Sequence, residues 1–435
     1  MINSVSRIKD QEYVREANAS RIACLEGSVE HEDLDLGGLS MATTIIRNVQ
    51  IITDHLIPNG VLTLNDDTIT FVGSAAEYHR QPIQSNYVLE IDADGGYAAP
   101  GLIDVHIHGA NGHDVLEGTD EALRAIGCYC AAGGTTGFLP TTVTAAPAKT
   151  RQAAQAVQAF TAQQAKGSPS GARVLGMHLE GPYLNIERKG AQFGAAIRPV
   201  DLDELQELYL VLGDIWKLMT IAPEIPGAQD AIRWLVQRGI TASAGHSTAT
   251  FAQSVEAFDW GISQATHIFN GMHPLHHREP GLLGACLTKP TIACQLVADG
   301  VHVHPAAVEL LYRMVGCERI ILITDAVQAA GLHDGSYVLG DLAIVVRQGT
   351  AWLPDGTLAG STLTMLDAVR NVIDFLQIPL VNAFRMGSLN PAQSLGLNRT
   401  GWLRAGYAAD VLLLSPELEL QRTIVGGQTV FSASA

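Results

Sequence analysis

From about residue 100 onward the chain sets eight short, strand-like apolar runs in succession, with amphipathic helical stretches interleaved. The runs fall near 101–107, 135–140, 173–179, 217–222, 240–244, 263–267, 292–298 and 319–324. Stretches with helical apolar spacing occupy 119–132, 147–165, 201–212, 228–238, 248–258 and 305–315, and another follows at 365–377. Strands that alternate with helices pair in parallel, because each return path needs a crossover. Eight such units predict an α/β chain folded as a (β/α)8 barrel.

The flanks have another texture. Thr43-Thr44-Ile45-Ile46-Arg47-Asn48-Val49-Gln50-Ile51-Ile52 reads as a strand, and shorter ones follow at 60–64, 68–72 and 87–91. Pro58-Asn59-Gly60 and Asn65-Asp66-Asp67 supply turn signals between them. In the tail, beyond the eighth apolar run, short strands return at 337–339, 342–346, 350–353, 410–414 and 422–425, with Gly426-Gly427 as a turn. Ala409-Asp410-Val411-Leu412-Leu413-Leu414 has the continuous apolar character of a central strand in the sheet that begins near Met41. The expected organisation is a polar extension over 1–40 with one short helix around 9–25, a small β-sandwich domain built from 41–99 and 386–435, and a catalytic barrel over 100–385.

Composition narrows the function. Hydrophobic residues make up 47% of the 435 positions and charged residues 16%, enough for a large globular core. No apolar run approaches the roughly 20 residues of a membrane helix, and the N-terminus lacks the apolar segment of a secretory signal. A net charge of −17 argues against nucleic acid or an acidic membrane as partner, while leaving room for a small anionic substrate in a local basic pocket. The cysteines Cys24, Cys128, Cys130, Cys286, Cys294 and Cys317 lack zinc-type pairing, and Cys128-x-Cys130 is too tight for a metal knuckle. They read as small buried residues in a reducing compartment, which predicts a cytoplasmic address.

The chemistry starts at Pro100-Gly101-Leu102-Ile103-Asp104-Val105-His106-Ile107-His108-Gly109. Alternation along a strand puts Asp104, His106 and His108 on one face, so the two imidazoles can grip a single ion. Alone, such a pair is as readily structural. Further strand ends add to it: Glu180 closes Met177-His178-Leu179-Glu180, and His246 follows Ala244-Gly245. His267 follows Ala265-Thr266, His302 ends Ala298-Asp299-Gly300-Val301-His302, and Asp325 follows Ile323-Thr324. A barrel enzyme builds its site at this rim, from loops after several strands, and clustered His and carboxylate groups there are what a metal-dependent hydrolase needs.

These motifs, with His178-Leu179-Glu180-Gly181-Pro182, Gly245-His246-Ser247, Thr266-His267-Ile268-Phe269-Asn270-Gly271-Met272, Arg278-Glu279-Pro280-Gly281 and Leu358-Ala359-Gly360-Ser361-Thr362-Leu363-Thr364-Met365, resemble the amidohydrolase superfamily. Within it they resemble the N-acetylglucosamine-6-phosphate deacetylase family, from about Met41 to the end of the chain. The resemblance implies that Glu180, His246 and His267 hold a catalytic divalent metal. It implies that His106 and His108, with Glu180 and Asp325, hold a second ion in those members that carry two. The metal count is therefore one or two per subunit, and His and carboxylate donors suit Zn, Fe, Mn or Co. Asp325 is implied as the general acid and base, and His178 as a group facing the core and not a ligand. Lys217, at the wrong end of its strand for a bridging carbamate, disfavours a dihydropyrimidinase-like relative.

The same resemblance implies that Asn270, Gly271, Arg278 and His302 contact substrate, with Arg278 reaching the phosphate in the neighbouring subunit's site of a homodimer. Ala191 and Gln192 fall where some members have a small residue followed by His, and Gln192 is expected to donate to a sugar hydroxyl. Leu358, Ala359 and Gly360 are expected to line the pocket through their backbone. His273, His276 and His277 have no assigned role. The implied reaction is hydrolysis of N-acetyl-D-glucosamine 6-phosphate to D-glucosamine 6-phosphate and acetate, in amino-sugar catabolism or cell-wall sugar recycling. Its rivals are the galactosamine epimer, another amidohydrolase acting on a cyclic amide, and a non-catalytic sugar-phosphate binder.

Overall fold

The computed structural model describes residues 43–80, 88–167 and 169–434. The expected extension 1–40 and its helix around 9–25 lie outside the described residues.

Eight parallel strands form the central sheet: β1 Leu102–Ile107, β2 Thr135–Thr142, β3 Met177–Glu180, β4 Trp216–Ile221, β5 Thr241–Ala244, β6 Ile262–Ala265, β7 Ala293–Val297 and β8 Ile320–Ile323. Each pairs with the next in chain order. Several of the helices around them start at capping side chains. Thr119, Asp201, Thr250 and Thr364 accept hydrogen bonds from first-turn N–H groups of Asp120–Ala132, Leu202–Leu212, Phe251–Trp260 and Met365–Leu376. An additional helix, Gly281–Thr288, provides the crossover between β6 and β7.

The barrel closes by a seam with few backbone bonds. Asp325 N–H donates to His106 O at 2.9 Å and His108 N–H to Ala326 O at 2.8 Å. Lower in the seam the Asp104 carboxylate takes over. It accepts from the Thr324 hydroxyl at 2.6 Å, the Thr324 N–H at 3.3 Å and the His106 N–H at 3.1 Å. Burial pushes the Asp104 carboxyl up to about 6 against the pull of those donors.

This position corrects the expectation that Asp104 shares a face with His106 and His108. Ile103 and Val105 pack in the cluster that fills the barrel, whereas Leu102 and Ile107 pack outward against the helices. The alternation therefore changes parity between Val105 and His106, where the pairing with β2 loses register. A one-residue irregularity flips every later side chain, and it leaves Asp104 turned into the seam.

The barrel interior is layered. Ile103, Val105, Leu139, Leu218, Val297, Ile321 and Ile323 fill the lower part, and Ala392 and Leu395 join them from below. The segment around helix Leu389–Ser394 thus belongs with the barrel floor, although the sequence groups it with the terminal sheet. Asn390 Nδ2 fixes it by donating to Cys317 O and Ile320 O at 2.6 and 2.7 Å.

Both flanks build one sheet, in the order Gln428–Ser432, Leu420–Val425, Val411–Leu414, Tyr97–Pro100, Thr43–Ile52, Leu56–Asn65, Thr68–Ser74, with Val88–Asp92 beside Thr43–Ile52. Val411 and Leu413 face the sheet's own core, while Leu412 and Leu414 pack into the barrel's outer core. Burial on both faces is why this strand reads as an unbroken apolar run. Asp410, one residue earlier, ion-pairs with Arg173 next to β3 and accepts from Gly426 N–H, fastening sheet to barrel. The strands expected at 337–353 do not join this sheet. Gly335–Leu339, Leu342–Arg347, Thr350–Trp352 and Leu358–Ser361 form a separate antiparallel sheet whose last strand docks on the loop after β8.

Replacing Asp104 by Ala removes the acceptor of two buried N–H groups at about 1–3 kcal/mol each and leaves the Thr324 hydroxyl only the longer contact to His106 O. Asp104→Ala is expected to lower the urea unfolding free energy by about 3 kcal/mol or more at an unchanged m-value, whereas a loss below about 1 kcal/mol would mean that the seam holds without it.

Candidate metal centre and active site

The upper barrel is polar where the lower part is apolar. His178 on β3 is fully buried; its Nε2 meets the Thr220 hydroxyl at 2.8 Å and its Nδ1 the Thr141 hydroxyl at 3.3 Å. Thr220 continues to Thr266 at 2.8 Å and Thr266 to Ser243 at 2.6 Å. Burial, with His106 beside it, holds the His178 imidazole well below its ordinary value, so the ring is neutral. It stands edge-on to His106 with ring centroids 4.8 Å apart. His178 thus supports the site from beneath, as the sequence reading has it.

Above this layer two groups of donors face each other. Glu180, His246 and His267 form one, and His106, His108 and Asp325 the other; all six are buried, and within each group the ligand atoms lie within 4.8 Å of one another. The rings are aimed by backbone carbonyls. His108 Nδ1 lies 3.0 Å from Thr141 O, His246 Nδ1 2.8 Å from Arg188 O, and His267 Nδ1 3.2 Å from Asn270 O. A carbonyl can only accept, so Nδ1 carries the proton in each ring and Nε2 presents its lone pair to the site.

Those lone pairs converge. His246 Nε2 and His267 Nε2 are 3.1 Å apart, at 3.1 and 3.0 Å from Glu180 Oε1. His106 Nε2 and His108 Nε2 are also 3.1 Å apart, at 3.5 and 3.2 Å from Asp325 Oδ1. Lone pairs crowded at this spacing repel unless something positive lies between them. Ligands sharing an ion at roughly 2.0–2.2 Å sit about 3 Å apart, so both groups fit a divalent metal. Charge agrees. Burial alone would raise the carboxyls of Glu180 and Asp325, so their ionisation requires positive charge against them: protonated imidazoles, or a metal once the rings present lone pairs. Two buried anions in one chamber call for cations.

The backbone is strained where it delivers the ligands. His246, His267 and Asp325 have φ of +48°, +29° and +50°, a region that costs non-glycine residues roughly 1–3 kcal/mol each. Neighbouring glycines make this possible. A Cβ on Gly271 would come within 3.0 Å of His246 Nδ1, and one on Gly360 within 2.8 Å of Asp325 O.

The remaining expected residues are distributed unequally. His302 Nε2 lies 3.9 Å from Asp325 Oδ2, and its Nδ1 is held by Asp299 Oδ2 at 2.7 Å. Burial opposes protonation of His302, but Asp299 overrides it and raises the ring above its ordinary value. Asp299 is a residue the sequence reading missed, although its place three positions before His302 was a usable signal. Leu358, Ala359 and Gly360 lie on the strand that docks beside Asp325. Asn270 and Ala191 are half-buried, and Arg278 is exposed, with Nη1 2.8 Å from His277 Nε2. Gln192 differs most from its expected role. It is buried, its Oε1 accepts from Thr144 N–H at 2.7 Å and its Nε2 donates to Glu180 Oε2 at 2.6 Å, so the amide is turned to a metal-site carboxylate rather than held free for a hydroxyl.

Metal analysis separates the two groups. A His106→Asn, His108→Asn double variant is expected to lose one metal equivalent, and a His246→Asn, His267→Asn variant the other; retention of full metal content by either variant would remove that pair from the ligand set.

The amidohydrolase family profile matches residues 97–430. An N-acetylglucosamine-6-phosphate deacetylase of Vibrio furnissii is 40% identical over 336 residues, covering 77% of this chain and 83% of that protein. An N-acetylgalactosamine-6-phosphate deacetylase of Escherichia coli O157:H7 is also 40% identical, over 338 residues, covering 78% and 88%. Among solved structures, a mutant N-acetyl-D-glucosamine-6-phosphate deacetylase of Mycobacterium smegmatis in complex with N-acetyl-D-glucosamine-6-phosphate superposes with a TM-score of 0.81 at 33% identity, covering 91% of this chain and all of that one. The barrel, the two facing donor groups and these likenesses agree: the chain belongs to the amidohydrolase family of metal-dependent hydrolases, in the branch that holds the amino-sugar 6-phosphate deacetylases.

Proposed function

We propose that the chain hydrolyses N-acetyl-D-glucosamine 6-phosphate to D-glucosamine 6-phosphate and acetate. The observation that carries this reading is Asp325, an ionised carboxylate with one oxygen against His106 and His108 and the other facing His302, beside the Glu180–His246–His267 group. A carboxylate so situated suits a proton carrier at the edge of a metal centre, and the chain's kinship to enzymes of that activity supports the reading.

An acetamide is a poor electrophile with a poor leaving group. Glu180, His246 and His267 would hold a divalent metal, and His106, His108 and Asp325 a second; the chemistry so supplied would be acidification of water and polarisation of the amide carbonyl. Asp325 accepts the proton of the attacking water as its oxygen bonds to the acetyl carbon, then returns it to the nitrogen as the C–N bond breaks. The atoms leave as acetate and the free amine. His302, held by Asp299 through Nδ1, turns Nε2 toward Asp325 Oδ2 at 3.9 Å, where it can meet a substrate oxygen. Apolar packing below and the buried hydroxyl layer confine this exchange to the mouth.

Arg278, exposed on the loop after β6 among His273, His276 and His277, is the guanidinium suited to a bidentate phosphate contact. Its exposure supports a homodimer in which it reaches the neighbouring site. Cys130, Cys286, Cys294 and Cys317 are buried free thiols, which fits a cytoplasmic location, whereas Cys128 is disulfide-bonded, contrary to the expectation that the cysteines are all small reduced residues. Among the described residues no helix is long and apolar enough to cross a membrane.

Metal-loaded protein is expected to release acetate from N-acetyl-D-glucosamine 6-phosphate, and Asp325→Asn to lower kcat by about 10²–10⁴ while sparing sugar-phosphate binding. Absence of acetate sinks the reading, and undiminished turnover removes Asp325 from its role. The galactosamine epimer is a second reading, favoured by the equally similar Escherichia coli relative; the higher kcat/KM of the two epimers decides.

A further inference from the structure

Gln192 is joined to two fixed points. Thr144 N–H is a backbone donor, so the atom 2.7 Å away must be the amide oxygen, and the atom 2.6 Å from Glu180 Oε2 must be the NH2 group. The side chain is 4% exposed, so neither contact competes with bulk water. Its own N–H donates to Lys189 O at 2.9 Å, within the loop whose Arg188 carbonyl aims His246.

The hydrogen bond lands on the oxygen that matters. Glu180 Oε1 faces His246 and His267 at 3.1 and 3.0 Å, with His106 farther off at 3.6 Å, whereas Oε2 faces His108 at 3.3 Å. A carboxylate can turn about its terminal bond and give both oxygens to one side, since that torsion is broad and roughly two-fold. With Oε2 tied to Gln192, it cannot. The amide is neutral, so it leaves the carboxylate's charge available to both donor groups, and it occupies only one lone pair of Oε2.

We infer that Gln192 is a positioning residue that keeps Glu180 two-sided, with one oxygen for each donor group, and so sets the affinity of the His106–His108–Asp325 group for its divalent ion. The inference rests on the metal-dependent reading of the site and adds a role for a residue expected to touch sugar. Without Gln192, Glu180 turns both oxygens toward His246 and His267, and the other group loses its share of the carboxylate.

Cobalt(II) is the probe, because it reports occupancy and coordination through its visible absorption. Metal-free full-length protein is titrated with cobalt(II) in wild type and Gln192→Met, which has similar length and no amide. Wild type is expected to fill in two steps. In Gln192→Met the tighter step stays within a few-fold, while the weaker step moves by about 10–100-fold, the usual cost of losing an outer hydrogen bond to a ligand. The absorption of the second equivalent alone changes. The tighter step is an internal control for folding; should Gln192→Met fail to fold, Gln192→Asn, too short to span both contacts, is expected to show the same selective shift. Equal shifts in both steps, no shift in either, or a single equivalent in wild type would each overturn the inference. No sugar enters this titration. A selective shift in a protein that releases no acetate would sink the deacetylase reading and keep this one; acetate release with unmoved steps would do the reverse.

Discussion

One buried carboxylate governs this molecule. Glu180 is 2% exposed and has His246, His267 and His108 nitrogens within 3.3 Å of its two oxygens, with His106 at 3.6 Å. An anion in such a place survives only if positive charge and donors surround it on every side. The imidazoles come from β1 and from the loops after β5 and β6, and only a closed barrel brings those chain segments around the end of β3. The barrel is therefore a device for surrounding one carboxylate, and its closure at the Asp104–Thr324 seam is as much a condition of the site as the ligands themselves.

Stability and chemistry divide the barrel by height. The lower interior is aliphatic and is sealed by Ala392 and Leu395; it contributes burial without polar cost. The upper interior carries buried hydroxyls, imidazoles and carboxylates, each of which costs free energy unless bonded. The chain Thr141–His178–Thr220–Thr266–Ser243 satisfies those groups one after another. Strained backbone at His246, His267 and Asp325 sits only in the upper layer, which is where function requires side chains that a regular strand would not aim inward.

Much of this was legible from residue patterns. Short apolar runs and helical apolar spacing located all eight strands and most helices, because the barrel strands are buried on both faces and each helix buries one. Gly281–Thr288 escaped because it is buried almost all round and so has no polar face to reveal its period. The strand expected over 173–179 is broken at Leu175-Gly176, where Gly176 lies so close to Lys217 that a Cβ would meet its Cγ at 2.2 Å. The strands at 335–361 look like those of the terminal sheet. Their partner is set by the loop after β8, a contact that no local pattern records.

The sequence by itself determined which chemistry was possible: histidines and carboxylates at the ends of separate strands, few cations, and a parallel-sheet alternation that gathers strand ends on one rim. Local composition and periodicity suffice for that, since they fix residue type and facing. Only the tertiary structure decided how the donors divide. It turned Asp104 from the histidine face into the seam through a register shift, held His302 with Asp299, and bonded the Gln192 amide to Thr144 N–H and Glu180 Oε2. The aim of Gln192, His108 and His246 depends on single hydrogen bonds to distant backbone groups, Thr144 N–H, Thr141 O and Arg188 O. Every residue has the same backbone donor and acceptor, so the sequence carries no mark of which one a side chain will find.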